Sequence, residues 1–456
     1  MRPYAAYKAS GVPWLGDVPS HWDVLRLKEV SNVIPSNVDK LTVEGQTPIR
    51  LCNYVDVYKN ERITSGIEFM VATATSEQVE RLALKVGDVV VTKDSESPWD
   101  IAVPTVVADA IENLVCGYHL TKLEPTDIEG RFLAWALRTY QVNLHFALSA
   151  GGITRYGLSS SSLADGNLPR PPSVEQQAIA DYLDTETARI DELIREKEGL
   201  IELLREYRQA VITGHTTGVS RAGSRIPTGN VFCPSVPEDW AMVRLGKYSR
   251  IGNGSTPLKD NAEFWSGGTF PWLNSAVVNQ DEVSEGSEYV TAEALRACHL
   301  PIVEAGAVLV ALTGQGKTRG QVTVLRIEAT INQHLAFIAL NPERFDADYV
   351  FWTMTGMYEA LRMVSDGQGG TKGALTCEDL SRFEIPMPPL ADQRDIARKV
   401  AQETARIDEL IAHTQDEIRL LKKLRAATIA EAVLGRIDVR TAVAAGQPAT
   451  SNNPSV

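Results

Sequence analysis

Two groups of polar turn residues carry side-chain types that bind nucleic acids. Glycine pairs let a backbone approach a phosphate closely, and Arg, Asn and Gln side chains can form paired hydrogen bonds with base edges. Each of these residues could equally be an ordinary solvated loop residue, because Lys and Arg are common in loops. The candidates are Lys93, Ser95, Trp99, Gly151, Gly152, Thr154, Arg155 and Tyr156 in the first half of the chain, and Asn274, Gln315, Lys317, Arg319, Gly369, Gly370, Thr371 and Lys372 in the second.

The sequence patterns of common nucleotide-dependent enzymes are incomplete in this chain. Residues 313–318 (TGQGKT) resemble a phosphate-binding loop, but the pattern needs a glycine where Ala311 stands. We therefore interpret this segment as a turn between two strands. Residues 341–344 (NPER) fail the Asn/Asp-Pro-Pro-aromatic pattern of an amino-methyltransferase.

The histidines and cysteines lack metal-ligand spacing. His119 and His334 occupy matching positions in CGYHL and NQHL, and we interpret them as core or hydrogen-bonding histidines. The five cysteines are scattered without a Cys-x-x-Cys pair, which predicts reduced and mostly buried thiols. We expect no catalytic residue, no metal site and no cofactor in this chain.

The chain contains an internal duplication. The octapeptide TARIDELI occurs at residues 187–194 and again at 404–411, which is 217 positions later. The neighbouring motifs recur in the same order, so that Trp22 in VPSHW corresponds to Trp240 in VPEDW. Repeats of 20 to 50 residues are typical of solenoids. This longer period indicates one whole domain with a connecting helix, present twice.

The order of elements predicts an α+β fold with two similar β-rich domains and two long helices. Each domain has short β-rich runs separated by turns, and one helix is predicted in each domain, at 129–147 and at 347–364. The predicted segments are a first domain (1–170), a first long helix (171–213), a flexible linker (214–235), a second domain (236–387), a second long helix (388–434) and a disordered tail (435–456).

The two long helices are too long for one small domain to cover. Ser173 followed by Gln176 predicts a capping box at the start of the first helix, and Gly214 and Gly435 are predicted to end the two helices. A helix of this length needs a partner, most simply its own duplicate. The apolar stripes are also broader than a two-position seam, which favours a bundle with additional helices. The residues predicted to bind partner helices are Ile190, Leu193, Ile194, Ile201, Leu204, Ile407, Leu410, Ile411, Ile418 and Leu421.

The composition indicates where the protein is located more clearly than it indicates which partners it binds. The net charge of −13 argues against a protein that coats DNA, because phosphate binding needs Lys and Arg. The acidic residues are concentrated in the first long helix, however, so basic patches elsewhere remain possible. The sequence has no apolar run of membrane-spanning length and no apolar signal core at its start, which predicts a cytoplasmic protein without a membrane segment.

The motifs resemble, over nearly the full length, the specificity subunit of Type I restriction-modification systems. The segment GVPWLGDVPSHWDVLRLK (11–28) is similar to the N-terminal opening of that family, and VGDVVVTKDSESPWDIAVP (86–104) is similar to the core of one of its target recognition domains. The segments PPSVEQQAIADYLD (171–184) and PPLADQRDIARKV (388–400) resemble the starts of its two shared helices. The segment VLGRIDV (433–439) resembles the usual end of the second helix.

This resemblance implies a non-catalytic DNA-recognition subunit. Two target recognition domains would lie at opposite ends of an antiparallel helix pair with pseudo-two-fold symmetry, and each would read half of a split, asymmetric double-stranded DNA site. The helix pair would set the spacer and dock two methyltransferase subunits. Those subunits would bind S-adenosylmethionine, and restriction subunits, if present, would use ATP with Mg²⁺.

Two other functions are compatible with parts of the sequence. The chain could be a coiled-coil scaffold with duplicated ligand-sensing domains that bind no nucleic acid. A self-contained nuclease or methyltransferase is the weakest alternative, because its motifs are missing. Protection of a bipartite duplex would separate recognition from scaffolding.

Overall fold

The computed structural model describes residues 2–314, 316–366 and 373–440. These residues form two compact units. The first unit contains the chain up to Lys197 and the stretch that starts at Asp416, and the second unit is the continuous stretch Glu198–Gln415. The predicted tail lies outside the described residues from 441 onwards.

The first unit contains a β-rich domain that precedes a long helix. Its elements are β1 (Tyr7–Ala9), β2 (Asp17–Pro19), β3 (Asp23–Arg26), α1 (Leu27–Val30), β4 (Ser31–Pro35), β5 (Thr47–Cys52), α2 (Tyr54–Lys59), β6 (Arg62–Ile63), β7 (Met70–Ala74), α3 (Ser76–Leu82), β8 (Val89–Thr92), β9 (Asp94–Ser95), β10 (Pro104–Val107), β11 (Leu114–Cys116), β12 (Leu120–Pro125), α4 (Gly130–Arg138), α5 (Tyr140–Ser149), β13 (Tyr156–Gly157), α6 (Ser160–Ala164), β14 (Asn167–Arg170) and α7 (Ser173–Thr216). Helix α7 continues into the second unit.

The second unit repeats this plan. Its further elements are β15 (Arg225–Asn230), β16 (Cys233–Pro237), β17 (Ala241–Arg244), β18 (Ser249–Asn253), α8 (Ala262–Trp265), β19 (Phe270–Leu273), β20 (Glu282–Val283), β21 (Glu288–Val290), α9 (Ala292–Ala297), β22 (Val308–Ala311), β23 (Val322–Leu325), β24 (Thr330–Ile331), β25 (Leu335–Leu340), α10 (Ala347–Gly356), α11 (Tyr358–Asp366), α12 (Cys377–Arg382), β26 (Glu384–Met387) and α13 (Leu390–Val433). Helix α13 ends in the first unit.

The two domains have the same sheet topology. Each has a five-stranded sheet, in the order β4-β12-β8-β10-β6 in the first and β18-β25-β22-β23-β20 in the second. Each also has a three-stranded sheet, β11-β5-β7 and β24-β19-β21. The predicted fold class is therefore confirmed, because both β-rich domains and both long helices are present with like topology.

The central strand of each five-stranded sheet is buried on both faces. In β8, Val89 and Val91 belong to the core cluster around α4, while Val90 belongs to the cluster beneath the three-stranded sheet. In β22, Val308 and Leu309 divide between two core clusters in the same way. Side chains alternate between the faces of a strand, so a run of β-branched and other apolar residues is the expected sequence for this position.

The helix predicted in each domain is broken into two. Thr139 separates α4 from α5 with extended backbone angles, φ −75° and ψ 130°. Met357 separates α10 from α11. Periodicity alone did not reveal the break, because both pieces bury apolar residues.

The long helices differ from prediction at their ends. Gly214 lies inside α7, which continues to Thr216. The capping box is also wrong, because Ser173 already lies within the helix and the Gln176 amide bonds elsewhere: its Oε1 accepts from the Glu129 backbone N–H at 2.6 Å and its Nε2 donates to the Pro171 carbonyl at 2.8 Å.

The segment predicted as a flexible linker contains a β-hairpin. Strands β15 and β16 pair antiparallel, with Ile226 opposite Val236. The hairpin corresponds to the β1–β2 pair at the start of the first domain, in which Lys8 lies opposite Val18. Because its Gly, Ser and Thr content is typical of a linker, the composition did not indicate a strand pair.

Within each unit the two long helices run antiparallel and are joined by ion pairs. In the first unit the Arg425 guanidinium binds Asp191 at 2.8 Å. In the second unit the Arg208 guanidinium binds Asp408 at 2.9 Å. Arg425 and Arg208 are equivalent in the repeat, as are Asp191 and Asp408, so each unit uses the same pair in reciprocal order.

The residues predicted to bind partner helices fall into three groups by burial. Ile190, Ile194, Ile201, Ile407 and Ile418 are buried, Leu193, Leu204, Ile411 and Leu421 are half-buried, and Leu410 is 54% exposed. The ion pairs between the helices indicate that the helix pair itself buries the first group. Those residues are therefore not accessible to another chain.

Candidate nucleic-acid interface

Three segments meet at the end of the central strand in the first unit. The Lys93 backbone N–H, just beyond β8, donates to the His119 carbonyl at 3.1 Å. The Leu158 N–H donates to the Lys93 carbonyl at 2.8 Å. Strand β13 also pairs with β9, which places Tyr156 opposite Ser95. Residues far apart in sequence, including most first-half candidates, are therefore brought together at this junction.

One carboxylate organises the polar side chains of this junction. Asp94 Oδ2 lies 2.7 Å from His119 Nδ1, and Asp94 Oδ1 accepts from Arg155 Nε at 3.1 Å. This hydrogen bond raises the pKa of the Arg155 guanidinium. The Arg155 side chain is 57% exposed, so it is oriented by Asp94 while its outer face stays open to solvent.

Lys93 and Ser95 are less open than their neighbours. The Lys93 ammonium donates to the Ser36 carbonyl at 3.2 Å and lies 4.4 Å from the centre of the Tyr118 ring. Ser95 is 7% exposed. These two residues hold the junction together, whereas Tyr118, at 51% exposure, forms part of its surface.

The glycine pair forms a tight turn. Gly151 and Gly157 exchange backbone hydrogen bonds of 3.0 and 2.8 Å. Gly152 has φ +137°, and a Cβ at this position would lie 2.0 Å from the Arg155 carbonyl oxygen. The turn leaves Ile153 93% exposed at its tip, beside the exposed Thr154. Only glycine fits at 152, so the tip depends on this residue.

Exposed aromatic side chains surround the junction, and of these only Trp99 was predicted from the sequence. Trp99, at 53% exposure, stacks on Tyr140 with ring centres 5.9 Å apart. Tyr54 stacks on Tyr58 at 5.6 Å. The spacing of Tyr54 and Tyr58 on one helical face could have been found in the sequence. Proteins stack exposed aromatic rings on nucleic-acid bases and neutralise the phosphates with cationic side chains.

The second unit has the same backbone junction. The Leu312 N–H donates to the His334 carbonyl at 2.9 Å, and the Leu375 N–H donates to the Leu312 carbonyl at 2.9 Å. The Thr313 hydroxyl lies 2.9 Å from His334 Nδ1, in the place that Asp94 takes in the first unit. Both histidines are thus hydrogen-bonding residues, as predicted. The exposed Gln333, which the sequence analysis missed, lies beside His334.

The second-half candidates occupy different environments. Lys317 is exposed on the turn between β22 and β23. Arg319 is 6% exposed and its Nη1 donates to the Gly373 carbonyl at 2.5 Å, so this predicted contact is not an exposed turn residue. The Asn274 side chain accepts from the Ala276 N–H and caps a short 3-10 turn. The remaining candidates, Gln315, Gly369, Gly370, Thr371 and Lys372, lie outside the described residues.

A buried glutamine attaches each domain to its long helix. Gln176 joins the start of α7 to the start of α4, as described above. Its equivalent Gln393 accepts from the Asp346 N–H at 2.9 Å and donates to the Pro388 carbonyl at 2.9 Å. Both glutamines are almost completely buried. In each unit this amide is therefore one of the contacts that attach the β-rich domain to its long helix.

Within the described ranges, no group of His, Cys, Asp and Glu side chains is arranged to hold a metal ion. In the same part of the chain, no helix has the length and apolarity needed to cross a membrane.

Comparison with known proteins identifies the duplicated domains. The family model of the Type I restriction modification DNA specificity domain matches residues 19–203 and again residues 237–420. The putative MjaX specificity subunit of Methanocaldococcus jannaschii is 24% identical over 94% of this chain and 96% of its own. The EcoBI specificity subunit of Escherichia coli is 25% identical over 67% of this chain and 65% of its own.

Solved structures show the same fold. The HsdS subunit from Thermoanaerobacter tengcongensis aligns with a TM-score of 0.57 at 18% identity, over 92% of this chain and 98% of that one. A second solved chain aligns with a TM-score of 0.72 at 18% identity, over 92% of this chain and 99% of that one. It comes from a structure described as the structural basis of complex assembly and conformational transition of the type I R-M system. Together with the double match to the family model, these findings show that the chain belongs to the DNA specificity subunits of Type I restriction-modification systems.

Proposed function

We propose that each β-rich domain reads one half of a bipartite, asymmetric double-stranded DNA site through the junction at the end of its central strand. The observation that carries the proposal is the duplicated junction itself. In both units the same three backbone segments meet around a histidine, whereas the exposed side chains there differ. Two half-sites of different sequence require the same backbone arrangement in each domain but different side chains on its surface.

The proposed contacts in the first domain centre on Arg155. Its exposed guanidinium is suited to paired hydrogen bonds with a guanine, and Asp94 limits the conformations it can take. Gly151, Gly152 and Thr154 form the adjacent turn, while Trp99 supplies an aromatic face. Lys93, Ser95 and Tyr156 support these groups from beneath.

The proposed contacts in the second domain centre on Lys317, together with the newly found Gln333. Asn274 is assigned a smaller part, because its side-chain oxygen already caps a turn. We assign Arg319 a supporting role, since a buried guanidinium bound to a carbonyl cannot reach a base without rearrangement. The remaining predicted contacts, Gln315, Gly369, Gly370, Thr371 and Lys372, are kept in this proposal from the sequence alone.

Two equivalent exposed patches on the long helices are suited to two copies of a partner. Leu203 and Tyr207 on α7 are 63% and 58% exposed. Leu420 and Leu424, their equivalents on α13, are 60% and 50% exposed. Exposed apolar residues one turn apart are typical of a helix-binding surface. We assign these patches, with Leu410, to two methyltransferase subunits.

Catalysis lies in the partner subunits of these systems, since specificity subunits are their non-catalytic members. The methyltransferase subunits would bind S-adenosylmethionine and flip the target adenine. Restriction subunits, where present, would use ATP with Mg²⁺. The helix pair would set the spacer between the half-sites, and the complex would act on DNA in the cytoplasm. The proposed recognition domains span 1–170 and 236–387.

Half-site variants test this proposal. The chain is reconstituted with its methyltransferase subunits, and binding is measured by competition with duplexes altered in one half-site at a time. Arg155→Ala is expected to reduce discrimination about tenfold at one half-site. Lys317→Ala is expected to act at the other half-site.

The matched control is Arg296→Ala, which removes an exposed arginine that pairs only within α9 among the described contacts. This variant should bind as the wild type does. An equal loss at both half-sites in Arg155→Ala, or no specific binding to any bipartite duplex, would contradict the proposal and favour a scaffold.

A further inference from the structure

In the first unit, the start of α7 borders a site that is filled by side chains of the protein itself. Glu175 is 6% exposed, and its Oε2 accepts from the Tyr4 hydroxyl and from Trp22 Nε1, both at 3.0 Å. The Tyr4 ring meets the Trp22 ring edge to face, with centres 5.5 Å apart. The Arg440 guanidinium lies 5.2 Å from the Tyr4 ring centre and 3.2 Å from Glu175 Oε1. An aromatic ring and a carboxylate thus fill the space above the tryptophan.

The second unit has the equivalent site at the start of α13. Trp240 packs on Gly218, which has φ +68°, as Trp22 packs on Gly435, which has φ +66°. A Cβ on either glycine would come within 3.1 Å of the indole ring. The position of the tryptophan relative to the end of a long helix is therefore the same in both units.

The hairpin register identifies the residue that replaces Tyr4. The Tyr7 hydroxyl donates to the Gly435 carbonyl, and Arg225 Nη1 donates to the Gly218 carbonyl in the same place. Three residues before Tyr7 stands Tyr4, and three residues before Arg225 stands Ala222. The second unit therefore has a methyl group where the first has a phenol.

The acidic side chain at the start of the long helix is also shorter in the second unit than in the first. Asp392 immediately precedes the helix-attaching Gln393, as Glu175 precedes Gln176. Trp240 is 4% exposed, yet its Nε1 has no hydrogen-bond acceptor among the described residues. A cavity of about 390 Å³ lies beside Trp240 and Asp392. Its lining includes Trp240, Ile396, Arg221, Lys399, Asp392 and Asp395.

We propose that this cavity binds an aromatic carboxylate. The ring would take the place of Tyr4 against the indole, and the carboxylate would accept from Trp240 Nε1, as Glu175 does from Trp22 in the filled copy. Arg221 and the exposed Lys399 supply positive charge at the cavity, where Arg221 also binds Asp239 at 2.8 Å and two aspartates, Asp392 and Asp395, belong to the lining. The group could be a free small molecule or a tyrosine beside an acidic residue on a partner polypeptide, since both present the same chemistry. This inference does not depend on DNA recognition.

Titration of the full chain with two probes separates these sources. 4-Hydroxyphenylacetate represents the free acid, and the capped peptide Gly-Tyr-Glu-Gly represents the polypeptide. The indole N–H signal of Trp240, assigned with Trp240→Phe, is expected to shift saturably with at least one probe. A response to the acid indicates a free ligand, and a response to the peptide alone indicates a partner segment. No shift with either probe would overturn the proposal.

Variants made in both copies provide matched controls. The double variant Ala222→Tyr with Asp392→Glu recreates the filled site. It should reduce affinity for the responding probe about tenfold or more, because the probe loses a charged hydrogen bond. Tyr4→Ala opens the first copy but keeps Glu175, so this site should take 4-methylphenol and reject the acid. Binding of the acid at both sites, or unchanged binding to the filled double variant, would contradict the assignment.

Discussion

Removal of one carboxylate should destabilise the first unit much more than removal of its equivalent destabilises the second. Glu175 is buried and receives hydrogen bonds from Tyr4 and Trp22. Asp392 stands at the same repeat position, but its nearest charged partner among the described residues is Arg221, at 3.9 Å. Glu175→Ala and Asp392→Ala are therefore a matched pair within one chain.

The expected difference follows from the donors that lose their acceptor. A buried donor left without a partner costs roughly 1–3 kcal/mol. Glu175→Ala leaves the Tyr4 hydroxyl and the Trp22 indole N–H in this state, so we expect a loss of about 3 kcal/mol. Asp392→Ala breaks only a long and partly exposed ion pair, which is worth about 0.5 kcal/mol or less.

The assay must report on each unit separately, because a chain with two compact units does not unfold in a single two-state step. Native-state hydrogen exchange of peptides from the two units measures the local opening free energy of each. Glu175→Ala should accelerate exchange in the first unit alone. Glu175→Asp, which imitates the second unit, should give an intermediate loss. Equal effects of the two alanine variants would refute the reasoning.

Three further perturbations have defined outcomes. Gln176→Ala and Gln393→Ala should each lower the local stability of one unit by about 2 kcal/mol in hydrogen exchange, because buried backbone groups lose their partners; equal loss in both units from either variant would show that the attachment is not local. Gly152→Ala should abolish discrimination at the first half-site in competition binding while the second half-site is still read, and an unaffected first half-site would contradict the tight turn. Burial raises the pKa of both Tyr4 and Tyr349, so stability is full below the pKa of about 10 that an unfolded tyrosine has and should fall as the pH rises above it. Tyr349→Phe should reduce that alkaline loss in the second unit, and an unchanged pH profile of unfolding would exclude this origin.

The duplication made much of the fold predictable. The central strands have valine-rich sequences that are typical of a strand buried on both faces, and the long helices have apolar stripes over their whole length. These signals are local or repeat in the chain, so they are visible without coordinates. The same repeat located the histidines that anchor the two junctions.

The β15–β16 hairpin was not predictable from composition. Its Gly, Ser and Thr content is typical of a linker, and it is held by contacts outside the strand pair, such as that of Arg225 with the Gly218 carbonyl. Comparison of this segment with the β1–β2 hairpin would have helped, but Arg225 and Tyr7 share no chemistry beyond a hydrogen-bond donor.

Side-chain orientation in the candidate site was also beyond the sequence. Lys317 and Arg319 lie two residues apart on one turn, yet Lys317 is exposed and Arg319 is buried against Gly373. The direction of a turn residue depends on the segment packed beside it, which here is more than 50 residues away. The acceptor at Gly373 carries no sequence signal.

Sequencing of methylated adenines in a host that expresses this chain with its methyltransferase subunits tests the central claim most directly. Two like domains that read different half-sites predict one split motif, with two defined halves at a constant spacing. Exchange of Arg155 for alanine should relax one half of that motif and leave the other half and the spacing unchanged. A continuous motif, or methylation that does not depend on this chain, would contradict the account.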